Sequence, residues 1–253
     1  MRWFSCVAVA TLASAALPAG APAQPLTVSV ASSLSDVMAE VGRAWQAQGG
    51  PGITVNAAGS NILARQIAQG APVHVFLSAD RAQMDVAAAS GRLVPDSIHD
   101  LLSNTLVVIV PGRRASQPLQ PRDLARPDVR RVALGNPDSV PAGVYARQWL
   151  ERIGLWTEVA PKVVPTVTAR AALAAVRAGR VDAGVVFATD AKTAPDVVVA
   201  YAVPAADSPL IRYPAAVVRG AREAEAALFV RFLSSPAARA LFEAAGFAMV
   251  RPE

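Results

Sequence analysis

Residues 59–80 read GSNILARQIAQGAPVHVFLSAD, and this stretch decides the fold. Ser60 follows an apolar, strand-like run, and the chain then continues as an amphipathic helix that stops at Gly70 and returns as a strand. Ser60 therefore lies where a strand passes into a helix. The unpaired N–H groups of a first helical turn, together with the helix dipole, make such a position attractive to an anion.

The same kind of junction recurs at Ser33, Ala142 and Ala169. Gly59, next to Ser60, permits a ligand to approach the backbone closely. For any one of these junctions, a residue that merely caps or begins its own helix is the simpler interpretation. Four of them in one α/β chain favour a different interpretation, in which several helix N-termini converge on one anion.

Strand-like and helical patterns alternate along almost the whole chain. Near-continuous apolar runs separated by helices are typical of a parallel sheet that is covered on both faces. No low-complexity linker divides the chain, so a boundary between two lobes would have to fall within strands. Residues 105–110 and 213–218 are the candidates for the strands that cross between lobes. Ligands of such folds bind in a cleft at the carboxyl ends of the strands.

The N-terminus has the pattern of a secretory signal peptide. Arg2 gives a short positive start, residues 4–17 are apolar, and residues 21–23 form a small-x-small cleavage site. A membrane anchor is the alternative, but the apolar run is shorter than the roughly 20 residues that span a bilayer. We therefore predict that residues 1–23 are removed and that the protein is periplasmic. Cys6 leaves with them, which excludes a disulfide or a thiolate site.

A secreted hydrolase with Ser33 or Ser60 as its nucleophile is the alternative from another class. Such an enzyme needs a base beside the serine. The available histidines are His74, within a strand pattern that follows the Ser60 helix, and His99, in a helical or loop stretch. Two isolated histidines without a cysteine do not make a zinc site either. We therefore expect no enzyme, no cofactor and no metal held by direct protein ligation.

Binding of nucleic acid or iron is also disfavoured. The formal net charge is +5, but the basic residues are scattered and do not form a stripe with interleaved aromatic residues. Ferric iron prefers tyrosine, histidine and carboxylate ligands, and Tyr145, Tyr201 and Tyr213 do not cluster in the sequence. Among receptors for anions, one for a tetrahedral oxyanion such as sulfate remains as an alternative.

A set of short motifs extends through nearly all of the mature chain. They are ASSL (31–34), GS (59–60), LARQI (63–67), GAP (70–72), FLSAD (76–80), NTLVV (104–108), GNP (135–137), VPAGVYA (140–146) and GF (246–247). In these motifs the chain resembles the periplasmic molybdate-binding proteins of ABC importers (the ModA type). Together the motifs are specific for that family, although no single one would be.

The resemblance implies an α/β, two-lobed periplasmic binding protein of type II. Residues 24–104 plus 213–253 would form lobe 1 and residues 105–212 lobe 2, each a mainly parallel sheet flanked by helices. Two crossover strands would act as the hinge. The ligand would be molybdate or tungstate, and the partner of this monomer would be an ABC-transporter permease that it meets transiently.

The resemblance also implies the ligand-contacting positions. Ser33 and Ser60 would donate hydroxyl and backbone N–H groups, and Ala142 and Ala169 would donate backbone N–H groups. The family often has a tyrosine at the position of Phe187, where its hydroxyl reaches the oxyanion. Phenylalanine cannot donate that hydrogen bond, and the loss of one charge-assisted bond costs about 1.5–3 kcal/mol where nothing replaces it.

Overall fold

The computed structural model describes residues 24–112 and 120–250. The predicted signal peptide, residues 1–23 with Cys6, lies outside the described residues. The strands are β1 Leu26–Ala31, β2 Ile53–Ala58, β3 Val75–Leu77, β4 His99–Ser103, β5 Leu106–Pro111, β6 Val132–Gly135, β7 Val163–Thr166, β8 Ala183–Phe187, β9 Val197–Ala202, β10 Tyr213–Val217 and β11 Ala248–Met249. The helices are α1 Ser35–Ala47, α2 Ser60–Ala68, α3 Arg81–Ala89, α4 Pro141–Arg152, α5 Trp156–Val159, α6 Ala169–Arg177, α7 Ala188–Lys192, α8 Glu223–Phe232 and α9 Pro236–Ala245.

The strands form two sheets, each with helices packed against it. One has the order β11-β4-β10-β3-β1-β2 and takes its strands from both ends of the chain, while the other has the order β7-β6-β8-β5-β9 and takes the middle. The chain passes from the first sheet to the second between β4 and β5 and returns between β9 and β10. This arrangement confirms the predicted two-lobed α/β fold with two crossings.

Both sheets are mixed, whereas the sequence predicts mainly parallel ones. β1 pairs in parallel with β2 and β3, and β6 pairs in parallel with β7 and β8. The strands after the crossings, β5 and β10, run antiparallel to both of their neighbours. Leu106 begins β5 opposite Phe187, the last residue of β8. A strand that arrives from the other lobe enters at the carboxyl edge of the parallel strands, and for that reason it runs in the opposite direction.

Helix α2 shows how the sequence pattern positions the site. Leu63, Ala64 and Ile67 are spaced on one face of the helix and are buried beneath it. The helix ends before Gly70, whose φ of 88° lies in the left-handed region that favours glycine. Burial of this face therefore fixes the N-terminus of α2, with Ser60, at the carboxyl edge of the first sheet.

His99 differs from its prediction, because it begins strand β4 rather than lying in a helix or loop. The strand pairs with β10 and β11 and is antiparallel to both. Within residues 24–112 and 120–250, no helix combines the length and the apolar character needed to cross a bilayer.

Candidate functional site

A small cavity lies between the carboxyl edges of the two sheets. The predicted residues Ser33, Ser60, Ala142, Ala169 and Phe187 all line it. The other described residues that line it are alanine, serine, glycine, valine, proline or threonine, so none of the residues named for this cavity has an ionisable side chain. The chain thus brings together, from four helix starts and one strand end, the positions that the sequence singled out.

The two lobes lie close together around this cavity. The cavity has a volume of about 10 Å³, which is about the size of a single water site. Gly59 shows how close the lobes are, because a Cβ at this position would lie 2.8 Å from the carbonyl oxygen of Val167 in the opposite lobe. Glycine at position 59 is therefore required by the approach of the second lobe.

Ser60 is the first residue of α2 and is 1% exposed. Its hydroxyl does not cap its own helix, for which Gly59 is the N-cap residue. Instead, the backbone N–H of Ala79 donates to Ser60 Oγ over 2.9 Å. Since this oxygen already accepts a hydrogen bond, the hydroxyl hydrogen of Ser60 is left to donate to another group.

Ser33 lies in a short 3-10 turn, Ser32–Leu34, that precedes α1. The sequence predicts that it is an N-cap, and this is wrong: the turn has Ala31 as its N-cap, and no side chain caps it. Ser33 Oγ instead lies 3.0 Å from the hydroxyl oxygen of Tyr213, on the strand that returns from the second lobe. The hydroxyl of Ser33 is therefore held by the hinge region rather than by its own helix.

Ala142 and Ala169 line the cavity and can offer it only backbone donors, since the alanine side chain has no polar atom. Ala142 is the second residue of α4, after Pro141, which has no N–H. Ala169 is the first residue of α6, where Thr168 caps the helix by accepting from the N–H of Ala171 at 3.0 Å. Amides this close to a helix start have no acceptor within the helix and point out of it.

Phe187 ends β8 and is 1% exposed. Its ring packs between two tyrosines, with centroid distances of 5.6 Å to Tyr213 and 6.4 Å to Tyr145. The cavity is therefore apolar on this side, where a tyrosine would offer a hydroxyl.

Charged groups lie behind the cavity wall and are paired or shifted in pKa. Burial raises the pKa of Asp80 to about 6, against the opposing hydrogen bonds from the N–H of Gln83 and from Ser78. Burial also raises the pKa of Asp190 to about 6, although the guanidinium of Arg170 lies 2.6 Å away and lowers it. Because Arg170 is engaged with Asp190, the donors that face the cavity are neutral.

Sequence reasoning missed the roles of two polar residues next to the site, Asn104 and Tyr213. Asn104 donates from Nδ2 to Thr189 Oγ1 at 2.8 Å and to the Tyr213 hydroxyl at 3.2 Å. In the sequence, Tyr213 is considered as an iron ligand and as the start of a crossing strand, and residue 104 as part of a family motif, but neither as a hydrogen-bonding residue of the site. No local pattern joins positions 104 and 213, so no sequence signal could have paired them.

The partners of the two serines also bear on the hydrolase alternative. Ser60 and Ser33 contact Ala79 and Tyr213, whereas His74 Nδ1 accepts from the backbone N–H of Thr27 at 2.8 Å. His74 is therefore hydrogen-bonded to the backbone of β1 and not to the hydroxyl of either serine. Across the described ranges, 24–112 and 120–250, no group of three or more histidine, cysteine or acidic residues could hold a metal ion.

Comparison with known proteins agrees with this architecture. Residues 26–248 match the family model described as bacterial extracellular solute-binding protein. The chain is 32% identical to the molybdate-binding protein ModA of Escherichia coli over 97% of this chain and 98% of that protein. It is 31% identical to the solved substrate-binding domain of a putative molybdenum ABC transporter from Clostridium difficile, with a TM-score of 0.70 over 90% of this chain and 99% of that one.

A second solved structure supports the fold alone. It is the periplasmic molybdate-binding protein of Azotobacter vinelandii, which is 24% identical, with a TM-score of 0.78 over 90% of this chain and all of that one. The family match covers most of the chain, including both sheets and all the residues that line the cavity. The chain therefore belongs to the bacterial extracellular solute-binding protein family.

Proposed function

We propose that this protein captures molybdate, and equally tungstate, in the periplasm for an ABC importer. One observation carries the proposal: Ser33, Ser60, Ala142 and Ala169 meet at one cavity that has no ionisable lining side chain. The relatives in E. coli and C. difficile, which are named for molybdate or molybdenum, support the choice of ligand. Residues 24–104 plus 213–253 would be lobe 1 and residues 105–212 lobe 2, which close on the anion.

Hydroxyls, amides and helix dipoles would balance the two negative charges without an ion pair. A fully deprotonated oxyanion has no proton to donate, so a site built from donors suits it. Hydrogen phosphate would need an acceptor in the cavity. Sulfate has the same charge as molybdate but is smaller, so lobes that close to a fixed distance would leave its hydrogen bonds too long. Molybdate and tungstate are nearly equal in size and would bind alike.

In this proposal the protein is a receptor and not an enzyme. It would be secreted by means of residues 1–23, act as a monomer, and bring the loaded, closed form to a membrane permease as a transient partner. It needs no cofactor, because binding and release are the whole of its chemistry.

Isothermal titration of the mature, ligand-stripped protein tests the proposal. We expect tight binding of molybdate and tungstate, much weaker binding of sulfate and weaker binding still of phosphate. Sulfate binding equal to or tighter than molybdate binding would overturn the size argument, and the absence of molybdate binding would overturn the proposed ligand.

The Ser60→Ala variant tests the site itself. We expect molybdate to bind about 10- to 100-fold more weakly, which corresponds to one lost hydrogen bond to a charged group. Ser35→Ala is the matched control, since the hydroxyl of Ser35 donates to the neighbouring Asp36. Unchanged affinity in Ser60→Ala, with both variants folded, would remove Ser60 from the site.

A further inference from the structure

We propose that Asn104 and Tyr213 are positioning residues that fix the hydroxyl of Ser33 as a one-way hydrogen-bond donor to the bound anion. The inference rests on the proposed function, because it concerns the same cavity. Its basis is a chain of three hydrogen bonds that runs from the first crossing, through the returning strand, to the cavity wall.

The chain begins with the side-chain amide of Asn104, whose orientation is determined. Asn104 Oδ1 accepts from the backbone N–H of Thr105 at 2.9 Å, and a backbone N–H can only donate. The amide oxygen must therefore face Thr105, and the NH₂ group must face the opposite way. There it donates to Thr189 Oγ1 and to the hydroxyl oxygen of Tyr213, at 2.8 and 3.2 Å.

The direction of the next hydrogen bond follows from burial. Tyr213 is 0% exposed, and its hydroxyl oxygen receives a hydrogen from Asn104. Its own hydrogen needs an acceptor, because an unsatisfied buried donor is costly. Ser33 Oγ lies 3.0 Å away and can accept it. The bond between the two hydroxyls therefore runs from Tyr213 to Ser33.

Ser33 Oγ thus accepts a hydrogen bond on the side away from the cavity, and its own hydrogen is directed towards the cavity that it lines. The hydroxyl of Ser60 is also left as a donor, in this case through a single hydrogen bond, since the N–H of Ala79 donates to its oxygen. Both serine hydroxyls then act as donors, and the chain of bonds polarises the Ser33 hydroxyl further. A protonated oxyanion would find donors from both serines and no acceptor.

A double-mutant cycle between Tyr213 and Ser33 tests this inference. We expect Tyr213→Phe to weaken molybdate binding about 5- to 20-fold, because the Ser33 hydroxyl is then free to turn and to accept. If Tyr213 acts through Ser33, the double variant Ser33→Ala/Tyr213→Phe should bind as Ser33→Ala does, with no further loss. Asn104→Ala should likewise add nothing in the Ser33→Ala background.

Anion selectivity is the readout that a merely structural role would not change. At pH 8, Tyr213→Phe should reduce the preference for molybdate over hydrogen phosphate by about tenfold, because Ser33 Oγ can now accept. Tyr145→Phe is the matched control: this tyrosine is also buried, but its hydroxyl interacts with the backbone of Arg212, whereas the hydroxyl of Tyr213 contacts Ser33. The control should retain the wild-type preference.

The failures of the two proposals are distinguishable. Wild-type protein that does not bind molybdate would overturn the proposed function. Wild-type protein that binds it, with losses that multiply in the double variant or with unchanged selectivity in Tyr213→Phe, would overturn the positioning role alone. Thermal unfolding of each variant identifies misfolding, and Asn104→Ala gives the same comparison should Tyr213→Phe fail to fold.

Discussion

Arg170 of α6 donates from Nη2 to Oδ2 of Asp36, in α1 of the other lobe, across 2.9 Å. The same guanidinium donates from Nε to the fully buried carboxylate of Asp190 at 2.6 Å. One side chain therefore joins the lobes beside the cavity and also compensates a buried charge. The two bonds differ in environment, so the loss of each should have a different effect.

Asp36→Asn should weaken molybdate binding by about two- to fivefold and leave the free energy of unfolding almost unchanged. The Asp36 side chain is 63% exposed, and exposed ion pairs contribute about 0.2–1 kcal/mol. That contribution exists in the closed form, where the lobes meet. Titration calorimetry at low and high salt checks this, since salt should reduce the difference. Glu151→Gln, which breaks an exposed pair within one lobe, is the control and should bind normally.

Arg170→Met should lower the free energy of unfolding at pH 7 by about 3–5 kcal/mol, because it leaves the Asp190 carboxylate buried without a partner. Within the described part of the chain, the buried Asp190 Oδ2 already lacks a hydrogen-bond partner. The double variant Arg170→Met/Asp190→Asn should recover most of the loss. Urea unfolding measures both, and a single variant as stable as the wild type would contradict this account.

The pH dependence of Arg170→Met has a definite sign. Removal of the guanidinium takes away the influence that lowers the pKa of Asp190, so this pKa rises further above its unfolded value. Such a group binds its proton more tightly in the folded state, and stability is lost as the pH rises through the folded pKa. The deficit relative to the wild type should therefore shrink as the pH falls towards 4.

Asp80→Asn should stabilise the protein at pH 7 by about 1–3 kcal/mol. Burial raises the pKa of Asp80 to about 6, so its charged form is penalised by about that amount in the folded state, and asparagine carries no charge. The asparagine can still accept from the N–H of Gln83, the bond by which Asp80 caps α3. In the wild type the free energy of unfolding should fall between about pH 4 and 6, because the pKa values of Asp80 and Asp190 are both raised to about 6, and the variant should lose the part of this slope that Asp80 contributes. The exposed Asp96→Asn is the control and should keep the wild-type slope. A slope in Asp80→Asn that is as steep as in the wild type would assign all of it to other groups.

Gly59→Ala should impair closure and weaken molybdate binding by about tenfold or more, with little effect on stability. Its Cβ would meet the carbonyl oxygen of Val167, a backbone atom of the other lobe, at 2.8 Å. The lobes would have to stay a few tenths of an ångström further apart than in the wild type, which lengthens every hydrogen bond across the cavity. Gly220→Ala is the control, because a Cβ there meets nothing within 4 Å. Normal binding by Gly59→Ala would show that closure tolerates the extra atom.

Local patterns in the sequence predicted the elements that carry the site. Leu26–Ala31, Ile53–Ala58 and Val132–Gly135 are each a short, mostly apolar run beside a turn, and such runs are the basis of the predicted alternation of strands and helices. β4 was missed because it begins with the polar pair His99 and Asp100. The direction of β5 and β10 was also missed, since strand pairing depends on the path of the chain between lobes and not on composition.

The candidate site also has one part that local sequence patterns predict and another part that they do not. Helix starts with small residues are local features, so the junctions at Ser60 and Ala142 were visible in the sequence. The hydrogen bond between Asn104 and Tyr213 joins residues 109 positions apart, and it exists because the two crossings lie side by side. Contacts made by the hinge of a two-lobed protein are therefore the part of its site that motifs do not reveal.

Phe187→Tyr should tighten molybdate binding by about tenfold if the added hydroxyl reaches the anion, because one more charge-assisted donor contributes about 1.5–3 kcal/mol before any cost of packing. Phe187 lines the cavity at the end of β8, and it is the position at which the resemblance to the molybdate-binding proteins implies a tyrosine hydroxyl. Phe76→Tyr, on a buried strand of the first lobe away from the cavity, should lose stability without any gain in affinity. Unchanged or weaker binding by Phe187→Tyr, in a folded protein, would mean that the packing against Tyr213 keeps a hydroxyl at this position from reaching the anion. The affinity of the cavity would then come from the serine and backbone donors alone.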